Sequence, residues 1–140
     1  MNTIDILREL SHIPSFAGVY CRDNIPNIKK RPASIVINYD SCKEAGSHWV
    51  AILLFDDGRG EFFDSFGLAP LHPDIYRFLE DHCPLGYIHN SFQFQSPRSD
   101  TCGDYIILYI KRRSQGYTFL DFLNSFTSNK LLNDDLVKIF

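Results

Sequence analysis

The chain has no apolar run long enough to cross a bilayer, and its start, Met1-Asn-Thr-Ile-Asp-Ile6, lacks the basic and apolar regions of a signal peptide. A soluble, intracellular protein with no membrane association is therefore expected. There is no C-x-x-C pair; Cys21, Cys42, Cys83 and Cys102 are widely spaced. In a reducing compartment they are expected as thiols and not as a disulfide framework. His72, His82, Cys83 and His89 fit no common zinc spacing, so no metal site is expected. An excess of positive charge is also missing. The net charge is −3, and Lys29-Lys30-Arg31 and Lys111-Arg112-Arg113 read as solvated surface, so strong nucleic-acid binding is not expected. Repeats, low-complexity tracts and linkers are lacking. A length of 140 residues suits one domain (1–140) around one core, working as a monomer.

What the chain has in plenty is aromatic side chains, with twelve Phe and seven Tyr against one Met. Asn2 and Asp5 form a capping pattern for a first helix whose apolar face would be Ile4, Leu7 and Leu10. Phe16–Tyr20 reads as a short extended segment and the β-branched Ser34–Tyr39 as a strand. His48–Phe55 is nearly all apolar, as in a strand covered on both faces. Asp56-Asp57-Gly58-Arg59-Gly60 signals a hairpin turn, with Glu61–Asp64 as the returning strand. Pro73–His82 has helical spacing, and Tyr87–Phe94 alternates like a strand with Ile88, Phe92 and Phe94 inward. Helices are expected from Cys102 to about Arg113, over Thr118–Phe126 and over Asn133–Phe140. The fold class is α+β: a mixed or antiparallel sheet flanked by helices.

The segment Gln95-Ser-Pro-Arg-Ser-Asp-Thr-Cys102-Gly103 places a thiol where a polar loop enters a buried helix. Unpaired N–H groups and the positive end of the helix dipole favour thiolate there, and the same amides are donors for an oxyanion. Gly103 leaves space beside the sulfur. Asp104 suits a helix start but would oppose a thiolate unless it faces solvent.

A nucleophilic cysteine needs a base and a group to orient that base. Of five histidines, His12, His72, His82 and His89 fall where a surface or satisfied ring is the default. His48 opens the buried strand just after Ala45-Gly46-Ser47, at the rim of the sheet, with Trp49 beside it as a wall for the cleft or as a core residue. With the turn near Asp57-Gly58, residues whose numbers total about 112 to 116 face each other across the hairpin. His48 and Asp64 meet that condition, so the carboxylate would hold the imidazole tautomer.

Gly46-Ser-His48-Trp49, Phe63-Asp64-Ser-Phe66-Gly67, Gln95 and Cys102-Gly103 together resemble the adenovirus protease (adenain) family, cysteine peptidases related in fold to the ubiquitin-like-protein-specific proteases and papain-like in architecture. The order His, acid, Gln, Cys is that family's, and the likeness runs over roughly residues 1 to 115. The resemblance implies that His48 is the general base, Asp64 its orienting acid, Cys102 the nucleophile, Gln95 and Gly103 the oxyanion hole, and Gly46 and Trp49 part of the substrate cleft. It further implies peptide-bond hydrolysis through a thioester, with capsid or core precursors of a virus or a large self-synthesising transposon as partners, cut at Gly-containing sites. By the same resemblance the protein would act in the host nucleus, a viral factory or the virion. No cofactor is required by the sequence itself. An activating peptide is implied by the family, with Cys83 in the stretch that can bind it, whereas the negative net charge speaks against a DNA cofactor.

Other readings predict different behaviour. A protease for ubiquitin-like modifiers would act on a Gly-Gly tail, and an acyltransferase on this scaffold would leave acetyl groups on its targets. A non-catalytic capsid-interaction domain would have no need of all four residues.

Overall fold

A computed structural model describes residues 1–42, 48–97 and 100–140. Five strands form one mixed sheet in the order β1-β2-β3-β4-β5: β1 (Phe16–Cys21), β2 (Ala33–Asn38), β3 (Trp49–Leu54), β4 (Gly60–Phe63) and β5 (Tyr87–His89). The central pairs are antiparallel and the outer pairs, β1 with β2 and β4 with β5, are parallel. Every residue of β3 is buried, as its unbroken apolar run requires. Alternation sends Trp49, Ala51 and Leu53 to one face, and Val50, Ile52 and Leu54 to the other.

The first face packs on α1 (Thr3–Leu10), α3 (Cys102–Ser114), α4 (Phe119–Leu123) and α5 (Lys130–Ile139), with Phe63, Tyr105, Tyr109 and Phe122 as its bulk. The second packs on α2 (Pro73–His82) through Ile75, Phe78 and Leu79. Among the described residues no helix is long and apolar enough to cross a membrane.

Several expectations need correction. The cap of α1 is as expected, with Asn2 and Asp5 bonding each other's backbone. Its inward residues, however, are Ile6 and Leu10, while Ile4 and Leu7 are exposed. The expected strand at 87–94 stops at His89. Ile88 and Phe92 are exposed and only Phe94 turns inward. Arg113 is not a solvated charge: it forms a two-pronged pair with the buried Glu61 of β4, whose Oε1 also accepts from the Tyr109 hydroxyl at 2.7 Å. Nor are all four cysteines thiols. Cys21 and Cys42 form a disulfide, with Cα atoms 5.2 Å apart. Parallel pairing brings Cys21 beside Asn38, and four more residues carry the chain back to it.

Candidate active site

The hairpin register is the first positioning device. Ala51 pairs with Phe63 and Ile52 with Phe62, so His48 and Asp64 leave neighbouring strands at the same rim of the sheet. His48 Nε2 meets Asp64 Oδ1 at 2.8 Å, with the carboxylate wholly buried and the imidazole 16% exposed. The Phe66 N–H donates to the same Oδ1 at 2.8 Å, so the carboxylate is fixed before the ring reaches it. Asp64 Oδ2 is buried without a hydrogen-bond partner among the described residues.

Asn90 holds the backbone of Asp64 from outside the hairpin. Its Oδ1 accepts from the Asp64 N–H at 3.1 Å and its Nδ2 donates to the Asp64 carbonyl at 2.7 Å. This side chain is 3% exposed, and its task explains why β5 ends where it does. The turn after Asp64 closes when the Gly67 N–H donates to the Asp64 carbonyl at 2.8 Å. Gly67 has φ of 70°, and a Cβ there would lie 2.6 Å from the Phe92 carbonyl carbon, so only glycine fits.

Cys102 is the first residue of α3 and 6% exposed. Thr101, at the cap position, makes no side-chain cap, and its hydroxyl goes instead to Asp134 at 3.2 Å. The first backbone amides of α3 thus lack the usual capping acceptor, which keeps them suited to a negative charge at this end. Asp134 Oδ1 also accepts from the Tyr105 hydroxyl at 2.9 Å, and Asn133 Nδ2 donates to the Phe94 carbonyl at 3.2 Å. The last helix therefore ties down both ends of the loop that carries Gln95 to Cys102. Asp104 lines a hollow with Met1, Lys111 and Lys138. Burial raises its carboxyl above the ordinary range, opposed by Lys138 and the N-terminal amine. The space that Gly103 leaves is taken by the Met1 side chain.

The imidazole is the electrostatic centre. Burial alone would lower its pKa, but hydrogen bonding to Asp64 and then to Cys102, with their charges, carries it up to about 9. Both neighbours thus favour the charged form of the ring, against the pull of burial. Nδ1 has no partner that meets full hydrogen-bond geometry among the described residues. The sulfur thus lies within interaction range of the ring without full hydrogen-bond alignment.

Two rings flank His48: Phe66 at 4.8 Å and Tyr39 at 5.9 Å between centroids. Trp49 is in the core cluster that contains Cys102, 4% exposed, and is not one of these walls. Gly46 lies outside the described residues. Gln95 is fully buried, and its Oε1 accepts from the Ser65 hydroxyl at 2.5 Å. Cys83 is buried in the α2-side core, so close to Gly60 that a Cβ there would lie 2.5 Å from its sulfur. His72 caps α2 and His82 bonds the chain at Asn27 and Ile28, both structural tasks. A cavity of about 320 Å³, lined by Ile13, Leu53, Ile110 and Arg113 among others, lies at the far end of β3 and α3 from this site.

Ser65, Asn90 and Asp134 were not legible as site residues. Ser65 sits inside the Asp64–Gly67 motif, which is a usable signal. Asn90 and Asp134 act from loops and helices remote in sequence and carry no local signature.

No family model matches the chain. It is similar to the SUMO-1 cysteine protease of African swine fever virus from a South African tick isolate, 31% identical over 126 residues covering 79% of this chain and 44% of the relative. The cysteine protease of the Badajoz strain is 30% identical over the same coverage. The chain spans less than half the length of these relatives. A crystal structure of the African swine fever virus protease superimposes with a TM-score of 0.56 at 23% identity, over 79% of this chain and 45% of that one. The central domain of a Legionella pneumophila protein matches with a TM-score of 0.56 at 16% identity, over 99% of this chain and 92% of that one. The chain is thus homologous to one stretch of a viral cysteine protease and has the α+β fold of papain-like cysteine proteases.

Proposed function

We propose that the chain is a cysteine endopeptidase in which Cys102 is the nucleophile, His48 the acid and base, and Asp64 its orienting carboxylate. The observation that carries this reading is the His48 ring, held at 2.8 Å by a buried carboxylate and drawn up to about 9 by Asp64 and Cys102 against the pull of burial. A thiolate at Cys102 attacks the scissile carbonyl carbon, and the negative charge on that oxygen falls to the Gln95 side chain and the backbone amides at Cys102-Gly103. His48 passes its proton to the departing amine, leaving an acyl thioester on Cys102. The neutral ring then takes a proton from water, whose oxygen displaces the thiolate and releases the carboxylic acid.

Capsid or core precursors of a virus or virus-like element, cut at Gly-containing sites, are the proposed substrates, supported by the viral origin of the relatives. A ubiquitin-like modifier is the second reading, supported by the SUMO-1 in the relatives' name. An activating peptide remains part of the first reading, with DNA not required at a net charge of −3.

Incubating wild-type and Cys102→Ala protein with the precursor proteins of its source, followed by mass spectrometry of the products, tests the reading. Cuts that need Cys102 support it; equal cutting by Cys102→Ala refutes it. Rapid adduct formation between Cys102 and a SUMO-1 vinyl sulfone, with precursors left intact, would favour the second reading.

A further inference from the structure

A primary amide is nearly symmetric in shape but not in chemistry: one end donates and the other accepts. Turning Gln95 over would cost little in packing. It would replace a donor toward the developing oxyanion with a carbonyl lone pair, an interaction repulsive as well as lost. Something must therefore tell the amide which way to lie. Gln95 is wholly buried, as is Ser65, and the Ser65 hydroxyl donates to Gln95 Oε1 at 2.5 Å.

The backbone between them is fixed separately. The Ser65 carbonyl accepts from the Phe94 N–H at 2.9 Å and the Gln95 N–H at 3.1 Å. Gln93 Nε2 in turn donates to the Gln95 carbonyl at 2.9 Å. The hydroxyl is thus not needed to bring Gln95 to its place, only to orient its end group. We infer that Ser65 is a positioning residue that sets the donor end of Gln95 toward the reacting carbonyl. This rests on the oxyanion role proposed above for Gln95. It also means that one dipeptide, Asp64-Ser65, serves both halves of the chemistry: its first side chain holds the base and its second the oxyanion donor.

The test uses two reactions of the same thiol. Hydrolysis of N-acetylglycine p-nitrophenyl ester passes through an oxyanion; alkylation of Cys102 by iodoacetamide does not. Ser65→Ala should lower kcat/KM for the ester about 10- to 100-fold, part of the ~10²–10³-fold that losing an oxyanion donor costs. It should leave the alkylation rate and its pH profile within about twofold, and add no further loss on Gln95→Ala. Alkylation that falls together with hydrolysis would show that Ser65 acts through the triad or the fold, and overturns the inference. So would unchanged hydrolysis, or losses that add with those of Gln95→Ala. If Gln95→Ala alone leaves hydrolysis untouched, the oxyanion assignment itself fails and the role of Ser65 fails with it.

Discussion

Replacing Asp64 by Asn tests the electrostatics of the site through stability, with no substrate needed. The imidazole of His48 is raised to about 9 in the folded protein from its ordinary 6.5. A folded-state pKa above the unfolded one means that the native state holds the proton more tightly. The stabilisation is fully present below about pH 6.5 and is lost as pH rises through about 9. At 1.36 kcal/mol per unit, the difference is worth about 3 kcal/mol, for a ring that is mostly withdrawn from water. Asn in place of Asp64 removes the larger of the two upward influences and leaves burial pulling the ring down. Because a Cys102 thiolate gives up a proton where the ring gains one, the test is made in the Cys102→Ala background. Urea denaturation at pH 6 and pH 9.5 should show stability falling with pH, by less than about 3 kcal/mol since Asp64 alone then raises the ring, and adding Asp64→Asn should remove that fall. The difference between the two proteins is the measurement, since other groups titrate in both. If Cys102→Ala/Asp64→Asn loses stability over this range as steeply as Cys102→Ala, the raised imidazole is not Asp64's doing.

Asn90→Ala should strand the Asp64 N–H and carbonyl in a buried place, costing about 1–3 kcal/mol in denaturant melts and lowering turnover as the carboxylate loosens. Gly67→Ala forces a Cβ against the Phe92 backbone at a positive φ, and should cost upward of about 1 kcal/mol in the same assay. Glu61→Ala removes one partner of a pair buried between β4 and α3, with a loss of about 3 kcal/mol expected and little change in Cys102 alkylation once the protein is folded.

The parts of this molecule that local pattern specifies were readable from the chain. The apolar run 49–54 forms the central strand, and the turn around Gly58 sets the register that brings His48 to Asp64. The polar loop ending at Cys102 and the apolar stretch behind it give the buried helix. What local pattern does not specify depends on demands made from a distance. Tyr87–Phe94 alternates like a strand, yet Asn90 leaves the ladder to satisfy the Asp64 backbone, so Ile88 and Phe92 end up in solvent. Arg113 looks like a surface charge until Glu61, fifty-two residues away, is seen buried beneath it. The Cys21–Cys42 bond depends on parallel pairing between β1 and β2, which no local feature announces. Trp49 follows its strand's alternation into the core, leaving Phe66 and Tyr39 beside the base.

The central claim is that Cys102 reacts as a thiolate paired with the His48 imidazolium, and iodoacetamide labelling against pH tests it most directly. Cys83 stays out of the way, since burial shields it and pushes its thiol pKa up. The account predicts that Cys102 is alkylated at pH 6 much faster than an ordinary thiol, and that His48→Ala abolishes the advantage while the protein remains folded. A Cys102 that reacts at pH 6 no faster than free cysteine, or equally fast without His48, would contradict it.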